Sequence, residues 1–150
     1  MRTLVFGLGR DVVGKPEGDI SLVTDYDQRY LLVISKIFYK EVPSWDDRSG
    51  DVLNAVLARG GRIAVYWHKM RLVGAVVWSA DGDDWILEHI GFKRKEQRRG
   101  HGRVLLDFVR FQIQEAAARD LRPQGMLRAK VAENSPAAAF LEKYGFVWED

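Results

Sequence analysis

The sequence predicts an α/β fold: one mixed, mostly antiparallel sheet with helices on both faces. Three observations lead there. Two stretches with apolar residues at helical spacing precede a run of strands over residues 62–92, rich in Val, Ile, Tyr and Trp. Short polar turns punctuate that run, as antiparallel neighbours require. A second pair of helices then alternates with short strands to the end. A chain of 150 residues with 47% apolar and 29% charged content suits one compact domain. No repeat, low-complexity tract or linker divides it. Residues 1–150 are therefore read as a single domain, with 1–18 as an N-terminal extension or extra strand.

Thr3 to Phe6 reads as a strand followed by glycines. A dinucleotide-binding loop is a poor match, because Val12 stands where the third glycine of that fingerprint belongs. Lys15-Pro16-Glu17-Gly18 also breaks the chain where a helix would have to run, so a strand and a turn are expected. Ile20 to Thr24 is a second strand, and Asp25 is the candidate N-cap of a helix from Tyr26 to Tyr39. Tyr30, Leu31, Ile34, Ile37 and Phe38 share one face of that helix, and Pro43 closes it. Residues 44–50 form a polar loop carrying Trp45. A short helix, about Val52 to Ala58, stops at Gly60-Gly61.

The strands Arg62 to His68 and Leu72 to Ser79 flank a short polar interval and form a hairpin. Asp81-Gly82-Asp83-Asp84 turns the chain into the strand Trp85 to Phe92. After a basic loop, Val104, Leu105, Phe108, Val109, Ile113, Ala116 and Ala117 trace the apolar face of a long helix ending near Asp120. Met126 to Ala132 is a further strand. Ser135 caps a last helix with Pro136 at its first position, and Phe146 to Glu149 makes a short final strand.

Composition excludes several classes. There is no cysteine, hence no disulfide framework, thiolate nucleophile or cysteine metal site. His68, His89 and His101 are scattered along the chain, so no histidine metal site is expected. The net charge of +2 does not force a nucleic-acid or membrane partner on the whole chain. No signal-peptide pattern and no apolar run near the ~18–20 residues of a membrane span occurs, so the expected location is the cytoplasm. Charge is concentrated locally, with Lys93, Arg94, Lys95, Arg98, Arg99 and Arg103 in one loop and helix start. A nucleic-acid reading of that cluster is weakened because no aromatics interleave it to stack bases.

That basic loop feeds Gln97-Arg98-Arg99-Gly100-His101-Gly102 into a helix N-terminus. Unpaired N–H groups and the helix dipole favour an anion there, and glycine lets backbone approach it closely. The segment resembles the Gln/Arg-x-x-Gly-x-Gly/Ala motif of the GNAT superfamily, the acyl-CoA-dependent N-acyltransferases. Some 30 residues on, Asn134-Ser135-Pro136-Ala137-Ala138-Ala139-Phe140-Leu141-Glu142-Lys143-Tyr144-Gly145-Phe146 resembles the family's Asn-x-x-Ala-x-x-x-Phe-Tyr-x-x-x-Gly-Phe stretch, with small spacing differences. The likeness runs from about Ile20 to the end.

The resemblance implies a GNAT-like fold and acetyl-CoA, or a related acyl-CoA, as co-substrate, with no metal. Its pyrophosphate would lie on Gln97, Arg98, Arg99, Gly100, His101, Gly102 and Arg103. Its pantetheine arm would pair with the main chain of Ile90, Gly91 and Phe92, and Asn134 would close the other side. The implied activity is N-acetyl transfer to a primary amine of a small molecule, peptide or protein, by a monomer or homodimer. For a base, strand alternation puts Ile86, Glu88, Ile90 and Phe92 on one face and Leu87, His89 and Gly91 on the other. Glu88 is the first candidate and His89 the second; the alternative for Glu88 is an ion pair with a nearby Arg. The family's proton-donating Tyr falls at Leu141. Tyr144, one helical turn on, is the substitute, unless it is a helix-end core aromatic. That departure keeps open a catalytically silent acyl-CoA-binding module. Tyr39, Glu41, Trp45, Asp46 and Asp47 are candidate acceptor-lining residues, or a solvated loop with one anchoring Trp. Only Val147 to Asp150 follow Phe146, where the family has one more strand. Thr3 to Phe6 is therefore expected to supply an edge strand, or a partner subunit to cover the edge.

Overall fold

The computed structural model describes residues 1–9, 11–24, 28–43 and 45–149. The candidate cap Asp25, the expected helix start at Tyr26, and Arg10, Asp27, Ser44 and Asp150 lie outside the described residues. The strands are β1 Arg2–Gly7, β2 Asp19–Leu22, β3 Arg62–His68, β4 Arg71–Asp81, β5 Asp84–Phe92, β6 Met126–Val131 and β7 Val147–Trp148. The helices are α1 Gln28–Glu41, α2 Asp51–Ala58, α3 His101–Arg119 and α4 Pro136–Tyr144. The expected α/β class is present: one sheet in the order β2-β3-β4-β5-β6-β1-β7, antiparallel except where β5 meets β6.

Two cores form because β3 and β4 are apolar on both sides, which only a sheet covered on both faces permits. Ile63, Val65, Leu72, Ala75 and Val77 pack under α1 and α2 with Leu31, Ile34, Phe38 and Leu53. Ala64, Tyr66, Val76 and Trp78 face the other way, with Leu105, Leu106, Val109 and Ile113 of α3 and Leu141 of α4. Burial of each such Leu or Ile contributes about 1.5–3 kcal/mol. The hairpin between β3 and β4 turns on Lys69 (φ 50°) and Met70 (φ 64°), both in the left-handed region that a two-residue type I′ turn needs. Neither is glycine, so each costs about 1 kcal/mol. Ser135 caps α4 as expected, its Oγ accepting the Ala138 N–H at 3.1 Å.

The N-terminal strand is present but is not an edge. β1 lies between β6 and β7, antiparallel to both, with Leu4 opposite Ala129 on one side and Trp148 on the other. Leu4 is fully buried, and this explains the interior placement: a strand with buried side chains gains more between two neighbours than at a rim. The two-residue β7 is the edge instead. Among the described residues the loop after β1 leads into no helix. It runs across α3, where Gln114 accepts the Val13 N–H at 2.8 Å and donates to the Val13 carbonyl at 2.9 Å.

Candidate active site

The sheet opens where its one parallel pair fails. β5 and β6 are in register only at Trp85↔Leu127 and Ile86↔Arg128. Asp84 locks that closed end: its Oδ1 accepts the Met126 N–H at 2.9 Å and its Oδ2 is ion-paired with Arg128. The Arg128 guanidinium, followed by the Met126 amide, holds the Asp84 carboxyl below the usual carboxylate range. Arg128 also reaches Glu149 at 3.2 Å. Beyond Ile86 the strands part, and among the described residues no strand fills the gap between the ends of β5 and β6.

The glycine-rich loop stands at one mouth of this wedge. Gly100 has φ 83°, a left-handed N-cap conformation that suits glycine, and nothing lies within 4 Å of where its Cβ would be. Among the described residues no side chain caps α3, which leaves the first-turn N–H groups of His101, Gly102 and Arg103 able to bind an anion. Arg98, Arg99 and Arg103 are exposed around them, Arg98 with φ 63°. A Cβ on Gly102 would come 2.9 Å from the Phe140 ring, so this glycine brings α4 against the start of α3.

Two residues of the motif point elsewhere. The Gln97 side chain donates to the Phe92 carbonyl at 2.9 Å and reaches Glu41 at 3.5 Å, tying the loop to β5 and α1. The His101 ring turns inward, its Nδ1 3.1 Å from the Tyr66 hydroxyl and its Nε2 3.2 Å from Glu96. Of His101, only the backbone N–H is left facing outward at the helix start. Nor do the histidines stay scattered, since the His68 and His101 rings lie 5.2 Å apart.

The expected face assignment of β5 needs correction. Val77 pairs with His89 and Trp78 with Leu87, so Glu88 is an extra residue in a β-bulge. The bulge shifts the alternation by one. Leu87 therefore shares the α3 face with Ile90 and Phe92, while His89 and Gly91 face α1. A Cβ on Gly91 would meet Phe38 at 3.1 Å, so that glycine admits α1 to the strand. Glu88 reaches the C-terminus of α2, where its Oε1 accepts from Arg59 at 2.5 Å. Its Oε2 is buried with no hydrogen-bond partner among the described residues. His89 packs edge-on against Trp45, 4.8 Å between centroids, with Phe38 at 6.0 Å. Burial, opposed by Glu88, lowers its pKa below the ordinary histidine value.

Tyr144 and Glu88 are not brought together. Tyr144 belongs to the α3 face, against Phe6 and Phe146. Its hydroxyl donates to Asp107 at 2.5 Å and accepts from Arg110 at 3.4 Å. Burial, aided by Asp107, pushes its pKa up to about 12. Leu141 is buried in the same core. Asn134 (φ 62°) is exposed beside Ser135, Glu142 and Trp148, which line a depression of about 300 Å³. A larger cavity of about 600 Å³ lies at the far end of α3, around Gln114, Arg122 and Gln124.

Of the residues expected to line an acceptor site, Asp47 is a structural cap. It accepts the Val52 and Ser49 N–H groups at 3.0 and 2.9 Å, and the Ser49 hydroxyl foremost holds its pKa low. Arg48 covers the Tyr39 ring at 3.9 Å, and the Trp45 indole donates to the Asp47 carbonyl at 2.7 Å. Glu41 is nearly buried and ion-paired with Arg94 at 3.5 Å. Asp46 alone is left without an assigned partner among the described residues. Arg59, Asp84 and Arg128 escape sequence reasoning, because each acts through a partner distant in the chain.

A family model described as an acetyltransferase (GNAT) domain matches residues 59–148. No curated protein matches. Among solved structures, the chain is similar to the ribosomal-protein-S18-alanine N-acetyltransferase of Escherichia coli, with 20% identity, TM-score 0.65, and coverage of 87% of this chain and 78% of the other. An acetyltransferase of Bacillus subtilis in complex with CoA gives 19% identity and TM-score 0.60, over 87% and 77% of the two chains. A putative GNAT-family acetyltransferase of Novosphingobium aromaticivorans gives 15% and TM-score 0.61 over 99% of this chain. The present chain spans only 60% of that protein, and 57% of another match.

Proposed function

Because the chain belongs to the GNAT acetyltransferase family, we propose that it transfers an acetyl group from acetyl-CoA directly to a primary amine of a small molecule, peptide or protein. The observation that carries this reading is the wedge beyond Ile86, with an uncapped, glycine-started helix on one face of the sheet and a bulged, half-buried carboxylate reaching the other. The described residues fit the co-substrate. The α3 amides, with Arg98, Arg99 and Arg103, would hold the pyrophosphate. Ile90 and Gly91, on the parted edge of β5, would offer main-chain groups to the pantetheine arm. Phe92 has one carbonyl lone pair already taken by Gln97. Asn134 would close the opposite side.

Acetyl-CoA supplies a thioester; the chain's residues supply orientation and proton acceptance. Arg59 holds one Glu88 oxygen at 2.5 Å; the other, buried and without a hydrogen-bond partner among the described residues, accepts the proton of the attacking amine through a water that enters with the substrate. The new C–N bond forms as the C–S bond breaks, and the amine proton leaves through Glu88 while the thiolate takes its proton from water. Tyr144 is assigned a structural role, since its proton is committed to Asp107. The Escherichia coli protein's name specifies an alanine amine as acceptor, and a further structural match is an aminoglycoside acetyltransferase in complex with sisomicin. Both support an amine as the acceptor class. No described helix is long and apolar enough to cross a membrane, and we place the activity in the cytoplasm.

The test is thiol release from acetyl-CoA over a panel of amines, comparing wild type with Glu88→Gln. Acid–base catalysis by one group is worth roughly 10²–10⁴-fold, so kcat/KM should fall by at least about a hundredfold with acetyl-CoA affinity kept. Unchanged turnover removes Glu88 as the base. A second reading, an acyl-CoA-binding module without turnover, is favoured by Leu141 sitting buried where the family has Tyr. Binding without thiol release from any amine would establish it.

A further inference from the structure

Two of the three histidines meet behind the anion-binding loop, with a carboxylate between them. His68 ends β3, Glu96 closes the 3-10 turn Arg94–Glu96, and His101 opens α3. One ligand atom from each lies within 4.8 Å of the other two. We propose that His68, Glu96 and His101 form a binding site for a divalent transition-metal ion, Zn²⁺ by the chemistry of its donors.

Four features of the geometry carry the assignment. The donor set is two imidazole nitrogens and one carboxylate oxygen, which suits Zn²⁺ and leaves a fourth position for water. His101 Nε2 and Glu96 Oε2 are already 3.2 Å apart. Two ligand atoms of a tetrahedral site with bonds of ~2.0–2.1 Å stand about 3.3 Å apart. Closing the site therefore asks mainly for His68, whose ligand atom already lies within 4.8 Å of the other two, to move closer. The outer partner is in place as well. The Tyr66 hydroxyl sits 3.1 Å from His101 Nδ1, so Nδ1–H can donate to it while Nε2 turns its lone pair to the metal. Finally, the Glu96 and His101 side chains are only 14% and 11% exposed, which limits competition from water.

One group competes. Arg99 lies 3.7 Å from the same Glu96 oxygen, but its side chain is 54% exposed and can swing into solvent when the ion enters. The three ligands come from three separate elements, so the ion would fasten the β3 end, the 3-10 turn and the first turn of α3 together. Metal uptake is independent of the acetyl-transfer reading, and either can fail alone.

The chain has no cysteine and one other histidine, His89, so background uptake is small. Tag-free protein is titrated with Zn²⁺ by calorimetry and with Co²⁺ by its visible absorption. The expected result is one ion per chain, Co²⁺ bands of four-coordinate intensity, and a Zn²⁺-dependent rise in melting temperature that a chelator reverses. His68→Ala and Glu96→Gln should each weaken Zn²⁺ uptake at least tenfold, while His89→Ala leaves it unchanged. If His68→Ala folds poorly, His68→Gln replaces it, with folding checked by circular dichroism. No saturable uptake, or uptake equal in wild type and the His68 variant, overturns the site.

Discussion

Replacing Leu4 by Ala tests the placement of β1 in the sheet interior. Leu4 is fully buried in the α3-side core, so the substitution removes side-chain carbons worth about 0.8 kcal/mol each in transfer alone. A residual cavity adds to that, and buried Leu→Ala changes cost about 2.7–5 kcal/mol. The walls are two paired strands rather than a mobile rim, so little collapse is expected and the loss should be at least about 3 kcal/mol. For a domain of this size that lowers the melting temperature by roughly 6–12 °C. Val147, on the edge strand and 62% exposed, is the internal control, and Val147→Ala should stay within about 0.5 kcal/mol. Urea unfolding gives both values, provided the slope m is unchanged between variants. A loss below about 1 kcal/mol for Leu4→Ala, or equal losses at both sites, would refute the interior placement of β1.

Two more expectations concern half-buried ionisable groups. Tyr144→Phe keeps the packing on Phe6 and Phe146 but strips Asp107 and Arg110 of a shared partner, so stability should fall by about 1–3 kcal/mol while kcat/KM changes little. A large loss of kcat at normal stability would instead make Tyr144 a proton donor. His89 has its folded pKa depressed by burial, so as pH falls below about 6.5 the unfolded chain takes up a proton first and stability declines. One such group contributes at most about 1.4 kcal/mol per pH unit. Urea midpoints between pH 8 and 5 should show a shallower decline for His89→Gln; identical slopes would count against a neutral, half-buried His89.

Local chemistry was legible and register was not. Ser135-Pro136, the Gly100–Gly102 helix start and the apolar face of α3 can be read from the sequence because each depends on neighbours within one or two turns. The Glu88 bulge cannot, since an extra residue in one strand is defined only against its partner. Alternation therefore put Glu88 with Ile90, whereas the folded chain separates them. The wedge is equally silent, because Asp84 and Arg128 meet only after β6 has been laid beside β5. His68 and His101 look unrelated until α3 covers β3. Thr3 to Phe6 was recognisable as a strand from its residues, but its neighbours are chosen by the burial of Leu4 and by the gap between β6 and β7.

That placement governs the order in which the molecule can assemble. β6 is held to the β2–β5 strands only at its beginning, next to Ile86, and along its whole other edge it leans on β1. Leu4 pairs with Trp148, almost the full chain away. Such pairing carries a large loop-closure cost and slows the folding step that needs it. The β2–β5 meander and its helices can form from nearby contacts, whereas β6, α4 and β7 must wait until β1 is captured. Until then β6 presents an open edge, and that interval is when misassociation between chains would occur.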